Sequence, residues 1–309
     1  MRFLAICVVL ASSAAADPVT LKLKLAKGQS MKVEQTLGLT STANPSKSTK
    51  SGGVSSVTSV IVQTPFLLIE KWTDACVEDA DGDPVEVRRT ILGSKIATAK
   101  TASALTSQEG CVFLLSKGDK GSTVKTERGK PEDLSVILLG KGPPELVQVM
   151  LPAGAVEVGD SWKVDGSCNS PLQYTVSAGK AGAQGKARNA LREDIDRMDD
   201  KKSPIGVGSA TSAGCEVTAT LKSVKDGIAT IEFSGQQDID SSKVPGAPAG
   251  AMIPKSKTVI TGSLTFDIEA GRPLKLGWSS KHIVDDLDKG GTKFPGFTED
   301  WALARTYSK

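Results

Sequence analysis

Residues 215–235, "CEVTATLKSVKDGIATIEFSG", decide the fold class of this protein. Apolar and polar residues alternate on both sides of Asp226-Gly227. An Asp-Gly pair between two alternating segments is a strong signal for a β-hairpin. Alternation of this kind is typical of antiparallel strands that bury one face and expose the other. The stretch therefore predicts a hairpin whose turn is Lys225-Asp226-Gly227.

The same period-two pattern recurs along most of the chain. Residues 19–28 and 31–40 alternate around a turn at Lys27-Gly28-Gln29, which predicts a first hairpin. Further patterns of strand, turn and strand occupy residues 72–91, 111–128 and 258–283. The sequence therefore predicts a mainly β protein built from antiparallel curved sheets or a partly open barrel.

Three segments depart from this pattern. The apolar residues of 130–151 recur at helical spacing and predict two short helices packed on the sheets, the second beginning at Pro143-Pro144. An apolar stripe in residues 186–202 predicts a surface helix that ends before Pro204. The small and polar residues of 93–110 predict one or two helical turns.

Two hairpins recur in the same order along the chain. Residues 72–91 correspond in form to 219–239, and residues 111–128 correspond to 264–281. This order predicts an internal duplication with a period of about 150 residues. The two related halves would be residues 17–150 and residues 151–309, the second with the helical insertion near 186–202. Chance agreement between generic hairpins is the alternative.

The N-terminus predicts export. Residues 1–16 combine a basic residue, a short apolar run and small residues that end at Ala16, which is typical of a signal peptide cleaved before Asp17. The apolar run is shorter than the roughly twenty residues of a transmembrane helix, and no later segment supplies such a run. Lipid attachment at Cys7 is a weaker alternative, because Ile6 stands where a small residue is expected. We therefore expect a periplasmic or extracellular protein.

Four cysteines remain after this cleavage: Cys76, Cys111, Cys168 and Cys215. An even number of cysteines in an exported chain predicts two disulfides, although four cysteines allow three connectivities. We favour Cys76–Cys111 and Cys168–Cys215, because each pair would close a polar excursion at its base. Neither CxxC nor a Cys/His spacing typical of a zinc site occurs.

Charge and composition exclude some classes of partner. The formal net charge is +3, and aromatic residues make up 4% of the chain. Lysine and arginine are scattered singly between apolar residues and form no basic block. This distribution argues against binding to nucleic acid or to a membrane surface.

Residues 78–84, "EDADGDP", place Asp79, Asp81 and Asp83 at alternate positions around a glycine, which makes them a weak calcium candidate. An EF-hand loop needs its glycine at the sixth place and an acidic residue at the twelfth. Counted from Asp79, the glycine is fourth and the twelfth residue is Thr90. A hairpin turn is the favoured interpretation, since Asp-Gly suits such turns.

The sequence offers no catalytic or cofactor motif. His282 is the only histidine, and we interpret it as an edge or surface residue. Ser279 cannot pair with it easily, because the two side chains point to opposite faces of a strand, and Ser280 would lie about 7 Å away along the strand. The SxxK pattern of Ser122 and Lys125 lies in an alternating stretch, whereas that chemistry needs a helix. The tryptophans that we expect to be core anchors are Trp72, Trp162 and Trp278.

Several stretches resemble a known family. Residues 156–162, 221–233 and 262–278 resemble a family of uncharacterised exported bacterial β-rich proteins in which such hairpins recur in two related halves. The resemblance covers roughly residues 19–283 and consists of turn and core patterns. It implies a fold of two β halves, and it carries over no established activity or catalytic residues. The helix near 186–202 and the aspartate turn depart from it.

Together these observations predict an exported, non-catalytic protein that binds a ligand or an envelope partner. A first alternative is carriage of a small apolar ligand on the concave side of a curved sheet. A carboxylate-dependent hydrolase is a second, and it requires two or more carboxylates that converge in one cleft. An interaction protein is a third, and it requires an exposed apolar patch.

Overall fold

A computed structural model describes residues 17–43, 66–98, 101–118, 121–131, 146–164, 216–239, 255–289, 292–294 and 296–309. Before residue 160 the strands are β1 Val19–Thr20, β2 Ser30–Ala43, β3 Phe66–Ala80, β4 Asp83–Thr98, β5 Thr101–Leu105, β6 Val112–Gly118, β7 Gly121–Arg128 and β8 Ala155–Val156. The later strands are β9 Ser161–Lys163, β10 Val217–Lys225, β11 Ile228–Ile239, β12 Ser256–Asp267, β13 Arg272–Val284, β14 Leu287–Lys289, β15 Thr292–Phe294 and β16 Phe297–Ser308.

Twelve of these strands form one antiparallel sheet. Its order is β7-β6-β4-β3-β2-β16-β13-β12-β11-β10-β9, and β5 pairs with β4 beside β6. The remaining strands form two small pairs, β1 with β8 and β14 with β15. In the part of the chain that the structure describes, β7 and β9 end the sheet and do not pair with each other. The predicted mainly β, antiparallel, curved-sheet fold is confirmed.

The hairpin predicted at residues 215–235 is β10–β11, and its turn has a close counterpart in the other half of the sheet. Asp226 and Gly227 have φ of 52° and 76°, and Asp81 and Gly82 between β3 and β4 have φ of 54° and 80°. Two consecutive positive φ values define a type I′ turn, whose twist matches that of the flanking strands. The two turns matched in sequence therefore have the same backbone geometry.

Strand order repeats across the sheet. Strand numbers decrease in the same direction across the sheet in two series, β7-β6-β4-β3 and β13-β12-β11-β10. Strands β2 and β16 lie between the two series. The four strands in each series are the hairpins that correspond in sequence. The duplication and its boundary at residue 150 stay predictions.

Residues 21–25 do not pair with β2, so the predicted first hairpin is wrong. Strand β1 pairs with β8, whereas β2 pairs with β16 and β3. The segment links two hairpin tips instead, because Lys24 N donates to Gly271 O at 2.6 Å and Leu25 N donates to Gly82 O at 2.9 Å. Its three leucines are buried, as their alternation predicts. Alternation fixes the buried face of a segment, but it does not fix the neighbouring strand.

In the part of the chain that the structure describes, helix is scarcer than the sequence predicts. The second helix predicted within residues 130–151 is a single 3₁₀ turn at Leu146–Val149, and the first lies outside the described residues, as does the helix near 186–202. The turns predicted at 93–110 are wrong in part, since β4 runs to Thr98, β5 follows, and only the residues after β5 form a turn. Small residues at this position fit a strand as well as a helix, and long-range pairing with β3 decides the outcome.

One apolar core covers one face of the sheet. Its largest fully buried side chains include Phe113, Phe266, Leu37, Leu68, Leu115, Leu221, Ile231, Ile260, Leu264 and Leu276. Trp72 and Trp278 are buried, and half-buried Trp162 packs against the core while its Nε1 donates to Met150 O at 3.0 Å. The prediction that the three tryptophans anchor the core is confirmed.

The two ends of the sheet differ. At one end the strands join through tight turns that contain Gly82, Gly227 and Gly271. At the other end the connections are long: residues 44–65 join β2 to β3, and residues 240–255 join β11 to β12. Long connections are where binding residues commonly concentrate, so this second end directs attention to the residues that face inward there.

Gly129→Ala should lower the free energy of unfolding by about 2–4 kcal/mol, measured by urea denaturation. Gly129 has a φ of +94°, and a Cβ atom added there would lie 2.4 Å from Cys111 Sγ. Gly154 has open space around it, so Gly154→Ala should change the stability by less than about 0.5 kcal/mol. Equal losses in the two variants would contradict this prediction.

Candidate functional site

Five polar residues stand in register across five adjacent strands on the buried face of the sheet. Gln237 on β11 pairs with Thr258 on β12, which pairs with His282 on β13. His282 pairs in turn with Glu299 on β16, which pairs with Ser41 on β2. We call these five residues the polar row. With neighbouring strands about 4.8 Å apart, the row is about 19 Å long.

His282 is the central residue of the polar row. It is 3% exposed, so its interpretation as an edge or surface residue is wrong. Strand β13 is not an edge strand, because β12 and β16 flank it, and His282 shares the inward parity of Trp278 and Val284. Its Nδ1 lies 3.0 Å from Thr258 Oγ1, and its ring meets Phe297 edge-on at 6.2 Å. Burial lowers the pKa of His282 to about 4, so the ring is neutral at pH 7.

In the row, the side chains of His282, Ser41 and Gln237 each have a buried atom without a hydrogen bond. These atoms are His282 Nε2, Ser41 Oγ and Gln237 Oε1. Buried polar atoms in proteins nearly always have a partner, and each one without a partner costs about 1–3 kcal/mol. Three such atoms in one row mark a place where a bound molecule could supply the missing hydrogen bonds.

The polar row lies between apolar neighbours and close to the end of the sheet with long connections. Toward the middle of the sheet, the next inward positions include Ile260, Trp301 and Leu39. Toward the end, the next positions include Val284 and Phe297. One inward-facing position on each strand therefore separates the row from the end, where a ligand could enter.

The contact between Thr258 and His282 does not complete a hydrolase triad. In a triad the carboxylate bonds the ring nitrogen opposite the nucleophile and orients the ring. His282 Nε2 has no hydrogen-bond partner, so Glu299 does not hold the ring in this way. Ser279 lies on the outer face, and Ser280 pairs across the sheet with Trp301 rather than lying beside the histidine ring.

A second buried network lies about 20 Å from the polar row, six residues away along β2. Arg305 Nε donates to Gln35 Oε1 at 2.6 Å, and Gln35 Nε2 donates to Glu70 Oε2 at 3.1 Å. Ser94 Oγ donates to Glu70 Oε1 at 2.9 Å, and Thr106 Oγ1 donates to Ser94 Oγ at 2.6 Å. These polar groups satisfy one another, unlike His282 Nε2, Ser41 Oγ and Gln237 Oε1 of the polar row.

The same network extends to the Trp72 side chain and to the ion pair of Arg89 and Asp74. Arg89 donates two hydrogen bonds to Asp74, at 2.8 and 2.7 Å, and Trp72 Nε1 donates to Asp74 Oδ2 at 3.1 Å. The guanidinium carbons of Arg89 and Arg305 lie 4.8 and 5.4 Å from the centre of the Trp72 ring. Cations over an indole ring are favourable, so we assign this charged network to stability.

The aspartate turn uses its carboxylates for structure. Asp79 accepts hydrogen bonds from Lys27 N and Gly82 N, both at 2.8 Å, and these bonds lower its pKa. Asp83 accepts from Lys117 Nζ at 3.3 Å and from Gln148 Nε2. The backbone carbonyl of Asp81 accepts from Lys22 Nζ at 3.2 Å. Among the described residues, no group of three acidic, histidine or cysteine side chains is placed to hold a metal.

Cys76 and Cys111 do not form the predicted disulfide, since each is a thiol. Cys76 is on β3 and Cys111 precedes β6, and β4 lies between these two strands. Two strand spacings amount to about 10 Å, beyond the reach of a disulfide. Each thiol donates to a carbonyl instead, Cys76 to Glu78 O at 3.3 Å and Cys111 to Ser107 O at 3.4 Å. Cys168 and Cys215 lie outside the described residues.

Alkylation of the denatured protein without reductant should label both Cys76 and Cys111. Labelling of the native protein should be slow, because both thiols are buried and because burial, followed by the charge of Asp79, raises the pKa of Cys76. Peptide mass spectrometry identifies the labelled residues. Recovery of a peptide in which the two residues are joined would contradict the structure.

The other predicted residues are placed as follows. Ser122 and Lys125 lie on strand β7 rather than on a helix, so the SxxK pattern lacks its required geometry. Sequence analysis missed the polar row because its members come from five distant segments. Each member could still be recognised in the sequence. It is a polar residue at an inward-facing position of its strand, and the other inward-facing positions nearby are mostly apolar.

Comparison with known proteins adds no family. No family model and no curated protein matches the chain. Among solved structures, lipovitellin, described by its lipid–protein interactions, is similar at a TM-score of 0.44 and 6% identity, over 93% of this chain and 26% of that one. The porin OmpF of Salmonella typhi in complex with daunomycin is similar at 0.21 and 7%, over 91% and 98%. OmpT of Vibrio cholerae is similar at 0.16 and 8%, over 91% and 100%.

The chain thus spans about a quarter of the lipovitellin chain that it matches. Likenesses at these scores identify no function. Within the described residues, no helix is both long enough and apolar enough to cross a membrane.

Proposed function

We propose that this protein is an exported, non-catalytic binding protein that carries a small, mainly apolar ligand on the inner face of its curved sheet. The observation that carries the proposal is the polar row, in which His282, Ser41 and Gln237 each have a buried atom without a hydrogen bond. A ligand that supplied these bonds would remove a cost that the protein bears without it.

The surroundings of the polar row support an apolar body for the ligand. The inner face next to the row includes Ile260, Leu39 and Trp301, all buried in the folded chain. Ligand sites are commonly apolar, with a few polar groups that fix the orientation of the ligand. A molecule with an apolar body and one polar end would match this arrangement.

The predicted export of the chain supports a carrier role outside the cytosol. Residues 1–16 have the pattern of a signal peptide. An apolar molecule that must cross an aqueous compartment needs a protein to shield it from water. Association with an envelope partner is compatible with carriage, because a carrier must deliver its ligand.

Native mass spectrometry tests the proposal. The processed chain, purified without detergent from the cells that produce it, should carry a bound small molecule that denaturation releases. The same chain, refolded after denaturation and removal of the released molecule, should unfold at a lower temperature, because ligands that bind only the native state stabilise it. Identical masses and identical unfolding temperatures before and after refolding would refute carriage.

A further inference from the structure

We propose that the ligand has an uncharged head group with several hydroxyls, and that this head group lies along the polar row. The inference rests on the proposed carrier function and specifies its ligand class. It is drawn from the spacing, the hydrogen-bonding capacity and the charge of the five residues of the row.

The spacing favours a head group with more than one polar atom. Gln237 and His282 are separated by two strand spacings, and so are His282 and Ser41. Each separation is about 10 Å between backbones, and the side chains can narrow it. A single hydroxyl can reach one of the three unpartnered atoms, whereas a polyol or a sugar can reach two or three.

The hydrogen-bonding capacity favours hydroxyls. Gln237 Oε1 accepts, Ser41 Oγ both donates and accepts, and His282 Nε2 does one or the other according to its tautomer. A hydroxyl donates and accepts through the same atom, so it can bond each of these groups. A carbonyl or an ether oxygen only accepts and would leave the Gln237 oxygen without a donor.

The charge of the row disfavours ionic head groups. Glu299 is buried between His282 and Ser41 and takes part in an interaction of its own. An anionic head would find no cation in the row, because the His282 ring is neutral at pH 7. A head group of either sign would lose its hydration on burial, and this loss would cost more than the burial of a hydroxyl. An uncharged head avoids this cost.

A set of probes with the same ten-carbon chain tests the inference. Decane, decanoate and 1-monodecanoylglycerol are added to the refolded, ligand-free protein, and each displaces the fluorescent apolar dye N-phenyl-1-naphthylamine. The wild type should bind the monoglyceride at least about tenfold more tightly than decane or decanoate, since a neutral hydrogen bond contributes about fivefold.

Two variants identify the row as the head-group site. Ser41→Ala and Gln237→Leu each remove an unpartnered atom, so neither should impair folding, and each should reduce the preference for the monoglyceride over decane by about fivefold. Gln236→Leu is the matched control, because Gln236 adjoins Gln237 but faces solvent. Its preference should equal that of the wild type.

The outcomes separate the inference from the function. Binding of all three probes with the same affinity would overturn the head-group inference and leave carriage intact. A preference for the monoglyceride that persists in both Ser41→Ala and Gln237→Leu would overturn it as well. Failure of every probe to displace the dye, together with the absence of a copurified molecule, would overturn both.

Discussion

Asp74→Ala should lower the free energy of unfolding by about 3–5 kcal/mol, which is the largest single-residue effect that we expect. Asp74 accepts three hydrogen bonds on the buried face, two from Arg89 and one from Trp72 Nε1. Its removal leaves the Arg89 guanidinium without this carboxylate, and the Arg89 side chain is only 11% exposed. Urea denaturation monitored by tryptophan fluorescence measures the loss.

An exposed ion pair on the same sheet provides the control. Lys71 Nζ lies 2.8 Å from Glu34 Oε1, and the two side chains are 53% and 61% exposed. Glu34→Ala should cost less than about 1 kcal/mol, because water screens such pairs. The double variant Asp74→Leu, Arg89→Met should recover most of the stability, since an apolar pair can replace a buried ion pair. A small loss in Asp74→Ala would show that water reaches the charged network.

The elements that sequence predicts best here are those governed by local rules. The β10–β11 hairpin was predictable because Asp226-Gly227 supports two positive φ values and because the flanking residues alternate. The β3–β4 hairpin was predictable for the same reason. In each case the turn and the strands that it joins lie within one short stretch of chain.

The errors concern pairing between distant segments. Residues 21–25 have the alternation of a strand, yet they link the turns at Gly82 and Gly271 instead of pairing with β2. The disulfide between Cys76 and Cys111 was predicted wrongly for the same reason: the sequence does not show that β4 lies between the two residues. Spacing along the chain carries no information about which strand comes to lie between two residues.

The polar row shows how far sequence reasoning about the site could go. Each member could be recognised as a polar residue at an inward position, because period two assigns Thr258 to the same face as Ile260 and Glu299 to the same face as Trp301. Their assembly into one line depends on the register of four strand pairs. No local pattern specifies that register, so the row becomes visible only in the folded chain.

Acidification from pH 7 to pH 4 should lower the free energy of unfolding of the wild type. This decrease should exceed that of the His282→Gln variant by about 3 kcal/mol. The pKa of His282 is about 4 in the folded protein and 6.5 in its ordinary state. The folded pKa is the lower one, so the unfolded chain binds the additional proton between pH 6.5 and pH 4. Stability therefore falls as the pH falls through this window, and the loss from the histidine ends well below pH 4, where both states bind the proton. Urea denaturation at a series of pH values measures the free energy of unfolding of both proteins.

The pH profile of the His282→Gln variant is subtracted from that of the wild type. The difference contains the effect of the histidine without that of the carboxylates that titrate in the same range. Glu299 faces His282 from β16, and Thr258, which faces it from β12, does not titrate. Both proteins retain Glu299, so its contribution cancels to the extent that the substitution leaves its surroundings unchanged. Parallel pH profiles would show that the native ring protonates as readily as the ring in the unfolded chain, and would contradict the prediction. A steeper profile for the wild type would mean that the ring stays neutral at pH 7, the state in which Nε2 can bond a hydroxyl without a competing charge.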